Sequence, residues 1–183
     1  MPVTVLAIDA GGACDQVDGG ISHSYYVDRD FITGVTATGN LITAMTMSTP
    51  GKWARLDYDR DQTSFYNQVG ARNGKRISYT QTAFLKFAGY TQLYASTADL
   101  AKSACKLVFI HVMTNGARVI QGLELDATAV GGIDGSKIQD TRVVPTLNTD
   151  TSANEARLEF NIEGQSKSLS PFTDLTDTEI EAL

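Results

Sequence analysis

The chain has 183 residues and a formal charge of −6, with 42 % hydrophobic and 20 % charged residues. This length fits one domain that can bury a core without disulfides or metals. The acidic balance argues against a general nucleic-acid binder, which needs a basic footprint, and no apolar run approaches the ~18 residues of a membrane-spanning helix. Sixteen Gly against four Pro, with many Thr, Val and Ile, lean towards β structure. Cys14 and Cys105 are too few and too far apart for a disulfide framework, and they read as reduced thiols. Met1-Pro2-Val3-Thr4 lacks the basic start of a signal peptide.

Val3 to Ile8 reads as a strand buried on both faces, or as an arm that pairs with a neighbour. The Gly- and Asp-rich stretch from Asp9 to Gly20 breaks it. Its Gly-Gly pairs carry no phosphate-loop pattern, so nucleotide binding is not supported. Ser22 to Val27 reads as a strand, and Asp28-Arg29-Asp30 as a charged turn. Phe31 to Thr38 and Leu41 to Ser48 form a hairpin through Gly39-Asn40, and Thr49-Pro50-Gly51 ends it. Trp53 is a packing anchor in preference to a ligand platform.

Asp57, Asp59 and Asp61 alternate, as the first ligands of a calcium loop do. That template then requires Gly and a later Glu, where this chain has Gln62 and Gln68. As a strand, the same spacing puts the three Asp on one solvated face and Leu56, Tyr58 and Arg60 on the other. A metal site is therefore not expected.

Arg72-Asn73-Gly74-Lys75 is a turn leading into a strand from Ile77 to Phe87. Thr91 can cap a helix running to Lys106, with Leu93, Thr97, Leu100, Ala101 and Ala104 on one stripe. Leu107 to Met113, Asn115-Gly116 and Ala117 to Leu123 make the clearest hairpin signal. His111, inside the first of these strands, reads as structural. His23 is distant in sequence, and no Ser or Cys stands near either His in a recognisable catalytic motif. Asp126 to Asp140 is a Gly-rich loop, and Val143, Val144 and Leu147 suggest a short edge strand around Pro145. Arg157 to Glu163 alternates, with Leu158, Phe160 and Ile162 inward and Glu159 outward. The tail after Pro171 is acidic.

The expected fold is mainly β, a β-sandwich or partial barrel flanked by one α-helix, with extended terminal arms and a long loop. The chain is read as a single domain over residues 1–183. The core spans about 21–165, with an N-terminal arm at 1–13 and an acidic C-terminal arm at 170–183. Neither arm is expected to be anchored in its own core. Leu93, Leu100, Val108, Ile110, Leu158, Phe160 and Ile162 are expected to face one core.

Several small motifs carry a resemblance. Cys14-Asp15, then Gly19-Gly20-Ile21 and Tyr25-Tyr26-Val27, resemble the opening of a family of bacteriophage virion proteins. The likeness continues through Arg72-Asn73-Gly74 before a strand with Tyr79 and Gln81. It then runs through Leu100-Ala101, Asn115-Gly116 and Gly122 to the last strand, Leu158 to Gly164. It covers roughly residues 14–165 and resembles tail tube subunits. The resemblance implies subunits that close into stacked, usually six-fold, rings. It also implies contacts with other virion proteins at the head–tail junction or tail tip, and residence in the virion after synthesis in the bacterial cytoplasm. DNA would pass without specific binding, and neither cofactor nor membrane is involved. Asp57, Asp59, Asp61 and Glu159 are the candidates for a negative lumen or an inter-subunit surface.

Other readings stay open: a head–tail connector ring, or a head-completion or capsid decoration protein. A third is a carbohydrate-binding module using Trp53, Tyr58, Tyr66 and Tyr90. An enzyme is the reading the sequence supports least, since no catalytic or metal-binding set assembles by motif.

Overall fold

The computed structural model describes residues 20–57, 64–74, 76–87, 96, 106–125, 141–150, 155–166 and 168–183. Among the described residues the elements begin with β1 (Ile21–Asp28), a single 3-10 turn (Arg29–Phe31), β2 (Ile32–Thr38), β3 (Leu41–Met47) and β4 (Ala54–Asp57). Then come β5 (Phe65–Asn73), β6 (Arg76–Phe87), β7 (Leu107–Met113) and β8 (Arg118–Gln121). The last elements are β9 (Arg142–Asp150), β10 (Glu155–Ser166), β11 (Phe172–Thr173) and helix α1 (Asp177–Ala182).

These strands form two sheets. The larger has the order β2-β3-β11-β8-β7-β1-β4, and the smaller β5-β6-β10-β9. The expected mainly-β, sandwich-like architecture is the observed one, and the short α1 is a helix at the C-terminal segment, where none was expected. Short turns set the hairpins. Gly116 has φ +85°, a conformation that an L-residue adopts only with strain, and it closes β7 against β8.

β7 explains the layering. It is buried from Leu107 to Val112, the continuous apolar run of a strand covered on both faces. Leu107 and Phe109 point towards the small sheet and meet Leu85, Phe87, Phe160 and Ile162. The Phe87 and Phe160 rings pack edge-on with centroids 4.8 Å apart. Val108, Ile110 and Val112 point the other way, into a second cluster with Tyr25, Ile42, Trp53, Ile120, Leu175 and Ile180. The single core expected for Val108, Ile110, Phe160 and Ile162 is therefore two cores, one on each side of the large sheet. Strand alternation sends adjacent residues to opposite faces, and both faces are covered here.

The C-terminal segment corrects a second expectation. Residues 170–183 are not an arm free of their own core. β11 inserts between β3, to which it is parallel, and β8, to which it is antiparallel. It thus joins the β2–β3 hairpin to the rest of the sheet. Thr176 then caps α1 in a full capping box with Glu179. Leu175 precedes the cap and Ile180 sits at the fourth helical position. Both are buried in the second cluster, as a hydrophobic staple requires. The signal Thr176-x-x-Glu179 was present in the sequence.

The helix expected over Thr91–Lys106 lies outside the described residues, apart from Ser96, which is helical, and Lys106, which bridges to Thr141. The N-terminal arm at 1–13 and the whole Gly-rich loop, Asp126 to Asp140, also lie outside them. β5 was not anticipated, because Gln68 and Gly70 blur its alternation.

Candidate functional site

The described interior carries a polar seam between the sheets. Ser24 and His111 are direct partners on β1 and β7. Ser24 Oγ lies 2.8 Å from His111 Nδ1, and His111 Nε2 lies 2.9 Å from Gln121 Oε1. Gln121 Nε2 donates to the Ile162 carbonyl of the opposite sheet at 3.3 Å. That bond orients the Gln121 amide, so His111 Nε2 carries the proton and Nδ1 accepts from Ser24. Ser, His and amide thus line up like a nucleophile, its base and its orienting group. All three residues have 0 % exposure. Burial pulls His111 down to about 4, so the ring is neutral. A nucleophile that no substrate reaches does no chemistry, and the structural role expected for His111 fits this geometry.

Across the seam, Gln81 Nε2 donates to Ser166 Oγ at 2.9 Å and to Ser170 Oγ at 2.8 Å. The Tyr66 hydroxyl also bonds Ser170 Oγ, and burial pushes Tyr66 up to about 12. The carbohydrate reading loses two of its four aromatics here. The Tyr66 ring packs on His111, and Trp53 is buried in the second cluster, as a packing anchor should be. Tyr58 and Tyr90 lie outside the described residues.

A charged clasp holds α1 against the large sheet. Arg118 Nη2 donates to Asp177 Oδ1 at 2.8 Å, and His23 Nε2 lies 3.0 Å from Asp177 Oδ2. Burial pushes the Asp177 carboxyl up, but Arg118 and His23 outweigh it and hold it below its ordinary value. Burial and the nearby Arg55 pull His23 down, against the pull of Asp177. Further along, Tyr25 Oη donates to Glu181 Oε1 at 3.0 Å, and Arg55 Nη1 donates to the same oxygen at 3.2 Å. Burial, then the Glu181 bond, push Tyr25 up to about 12.

The clasp decides the fate of the expected acidic lining. Asp57 is exposed, but Arg55 Nε donates to it at 2.8 Å. It pairs with His23 in register and so stands on the α1 side of the large sheet. Glu159 is on β10, opposite Lys86 of β6, with Phe160 pointing inward between them and the large sheet. It therefore stands on the outer face of the small sheet. Asp57 and Glu159 therefore occupy opposite sides of the sandwich and do not share a face of one subunit. Asp59 and Asp61 lie outside the described residues.

The outer face of the small sheet is mostly hydroxyl, amide and carboxylate. Alternation places Thr80, Thr82 and Lys86 of β6 there, with Glu159, Asn161, Glu163 and Gln165 of β10. Phe65 and Phe84 stack on it near one end. Its edge strands, β5 and β9, pair on one side only among the described residues. β5 carries no Pro or Lys and no acid, and leaves Phe65 and Val69 about half exposed. Comparison with protein-family models, with curated proteins and with solved structures gave no match.

Proposed function

We propose that this chain is a ring-forming structural subunit of a bacteriophage virion, most specifically a tail tube subunit. The observation that carries the reading is the small sheet, antiparallel throughout and open at both edges among the described residues. Open edges are templates for pairing with another chain. Four strands is an even number. When copies are related by rotation, β9 of one copy therefore meets β5 of the next in antiparallel orientation. The sheet can then continue from subunit to subunit without a change of pairing type and close into a barrel. The outer face described above becomes one wall of that barrel. Glu159 and Glu163 outnumber Lys86 among its described charged side chains from β6 and β10, and with a chain charge of −6 a conduit lined by this face repels phosphates, so that DNA slides through without adhering. The sequence resemblance to tail tube subunits points the same way.

The test is electron microscopy of the purified protein together with its mass in solution. Stacked rings or tubes support a tail tube. Single closed rings point to a connector at the head–tail junction. Monomers or trimers that bind capsids point to a decoration or head-completion protein and would sink the tube reading.

A further inference from the structure

Two buried polar atoms of the seam have no hydrogen-bond partner among the described residues, Gln81 Oε1 and Thr141 Oγ1. Both residues have 0 % exposure. An unsatisfied buried group of this kind is costly, and native interiors rarely keep one without a bridging water or ion. The two atoms converge. A Cβ built on Gly164 would lie 3.6 Å from Gln81 Oε1, 3.6 Å from Thr141 Oγ1 and 3.8 Å from Gln121 Nε2. Beyond the glycine and its two chain neighbours these are its three nearest atoms, and all are polar. A second glycine flanks the same hydroxyl, since a Cβ on Gly122 would come within 2.9 Å of Thr141 Oγ1.

The donors and acceptors close on one solution. Both N–H groups of Gln81 are committed, to Ser166 and Ser170, so its oxygen must face the spot before Gly164. One N–H of Gln121 goes to the Ile162 carbonyl, which leaves the other free among the described residues. We infer that the interior binds one water molecule in front of Gly164. It donates to Gln81 Oε1, accepts from Gln121 Nε2 and shares a hydrogen bond with Thr141 Oγ1. Three partners is the usual number for a buried water. Neither Na⁺ nor K⁺ fits as well, because Gln121 presents a donor. The water joins the Ser24–His111–Gln121 chain of the large sheet to the Gln81–Ser166–Ser170–Tyr66 chain of the small one. It thereby ties the two sheets together through a single polar seam, whatever the subunit assembles into.

The experiment combines a crystal structure at a resolution that shows ordered water with thermal unfolding of Gly164→Ala and Thr141→Val. A bound water predicts a density peak within hydrogen-bond distance of all three atoms. It also predicts a lower unfolding midpoint for both variants, because Ala displaces the water and Val removes one of its partners. Without a water the signs reverse. Ala at Gly164 then fills ordinary contact space and stiffens a strand, and Val at Thr141 removes an orphaned hydroxyl. A clear map with no peak at that point, or a Thr141→Val midpoint at or above wild type, overturns the inference.

Discussion

Ser24 Oγ lies 2.8 Å from His111 Nδ1 across neighbouring strands, and neither residue has any solvent exposure. The pair has the atoms of a nucleophile and its base without the access that catalysis requires. Its effect is on alignment. A buried polar chain must stay satisfied, so it penalises any slip of β1 against β7 or of one sheet over the other.

That burial makes stability depend on pH. The unfolded chain protonates His111 near 6.5, whereas the folded chain does so only near 4. Below 6.5 the unfolded state therefore binds more protons, and stability falls as pH drops towards 4. The loss attributable to His111 is roughly 3 kcal/mol, complete below the folded value. His23, also pulled down by burial, adds a loss of the same sign. Urea unfolding of wild type and His111→Gln, at neutral pH and near pH 4, checks this. The variant is expected to lose most of the pH dependence in that window. An unchanged dependence assigns it to other groups.

Phe160 is buried between the sheets against Phe87. Phe160→Ala is expected to cost about 3–5 kcal/mol, the loss of a large ring plus the cavity it leaves. The denaturant midpoint reads this directly, and a midpoint equal to wild type would contradict the inward placement of β10.

The C-terminal segment is part of the fold, so removing residues 170–183 is expected to unfold or strongly destabilise the subunit. Ile180→Ala isolates the packing contribution at about 2–5 kcal/mol. Thr176→Ala isolates the cap at about 0.5–2 kcal/mol. A truncated chain with wild-type thermal unfolding would show that β11 and α1 are dispensable.

Asp177 tests the charged clasp. Its carboxyl is held below the ordinary 3.8, so its contribution is present at neutral pH and is lost as pH falls through the lowered folded value. The side chain is 36 % exposed, which keeps the contribution on the surface-pair scale of about 0.2–1 kcal/mol and makes it sensitive to salt. Asp177→Asn should remove that salt sensitivity. Equal salt slopes for the two proteins would show that the pair contributes nothing measurable.

Val69 tests the open edge. It is exposed on β5, so Val69→Lys should change subunit stability by no more than about 0.5 kcal/mol. A lysine on an edge strand discourages pairing with another chain. The variant is expected to stay folded and to show a lower assembled mass. Assembly equal to wild type would remove β5 from the subunit contact.

Local signals in the sequence were enough for the hairpins at Gly39-Asn40 and Asn115-Gly116, the turn at Asn73-Gly74, the apolar run of β7 and the alternation of β10. Each depends on a turn conformation, a short apolar run or a period of two within a few residues. The capping box at Thr176 and Glu179 is equally local, but the acidic charge of the tail by itself does not reveal it. Tertiary structure decided the rest. Period two assigns side chains to two faces, but it does not say what covers each face. So it could not separate the cores holding Ile110 and Phe160, or put Asp57 and Glu159 on opposite sides of the sandwich. Nor does it choose strand neighbours. Ser24 meets His111, and β11 enters between β3 and β8, only because pairing and burial are settled between segments far apart in the chain.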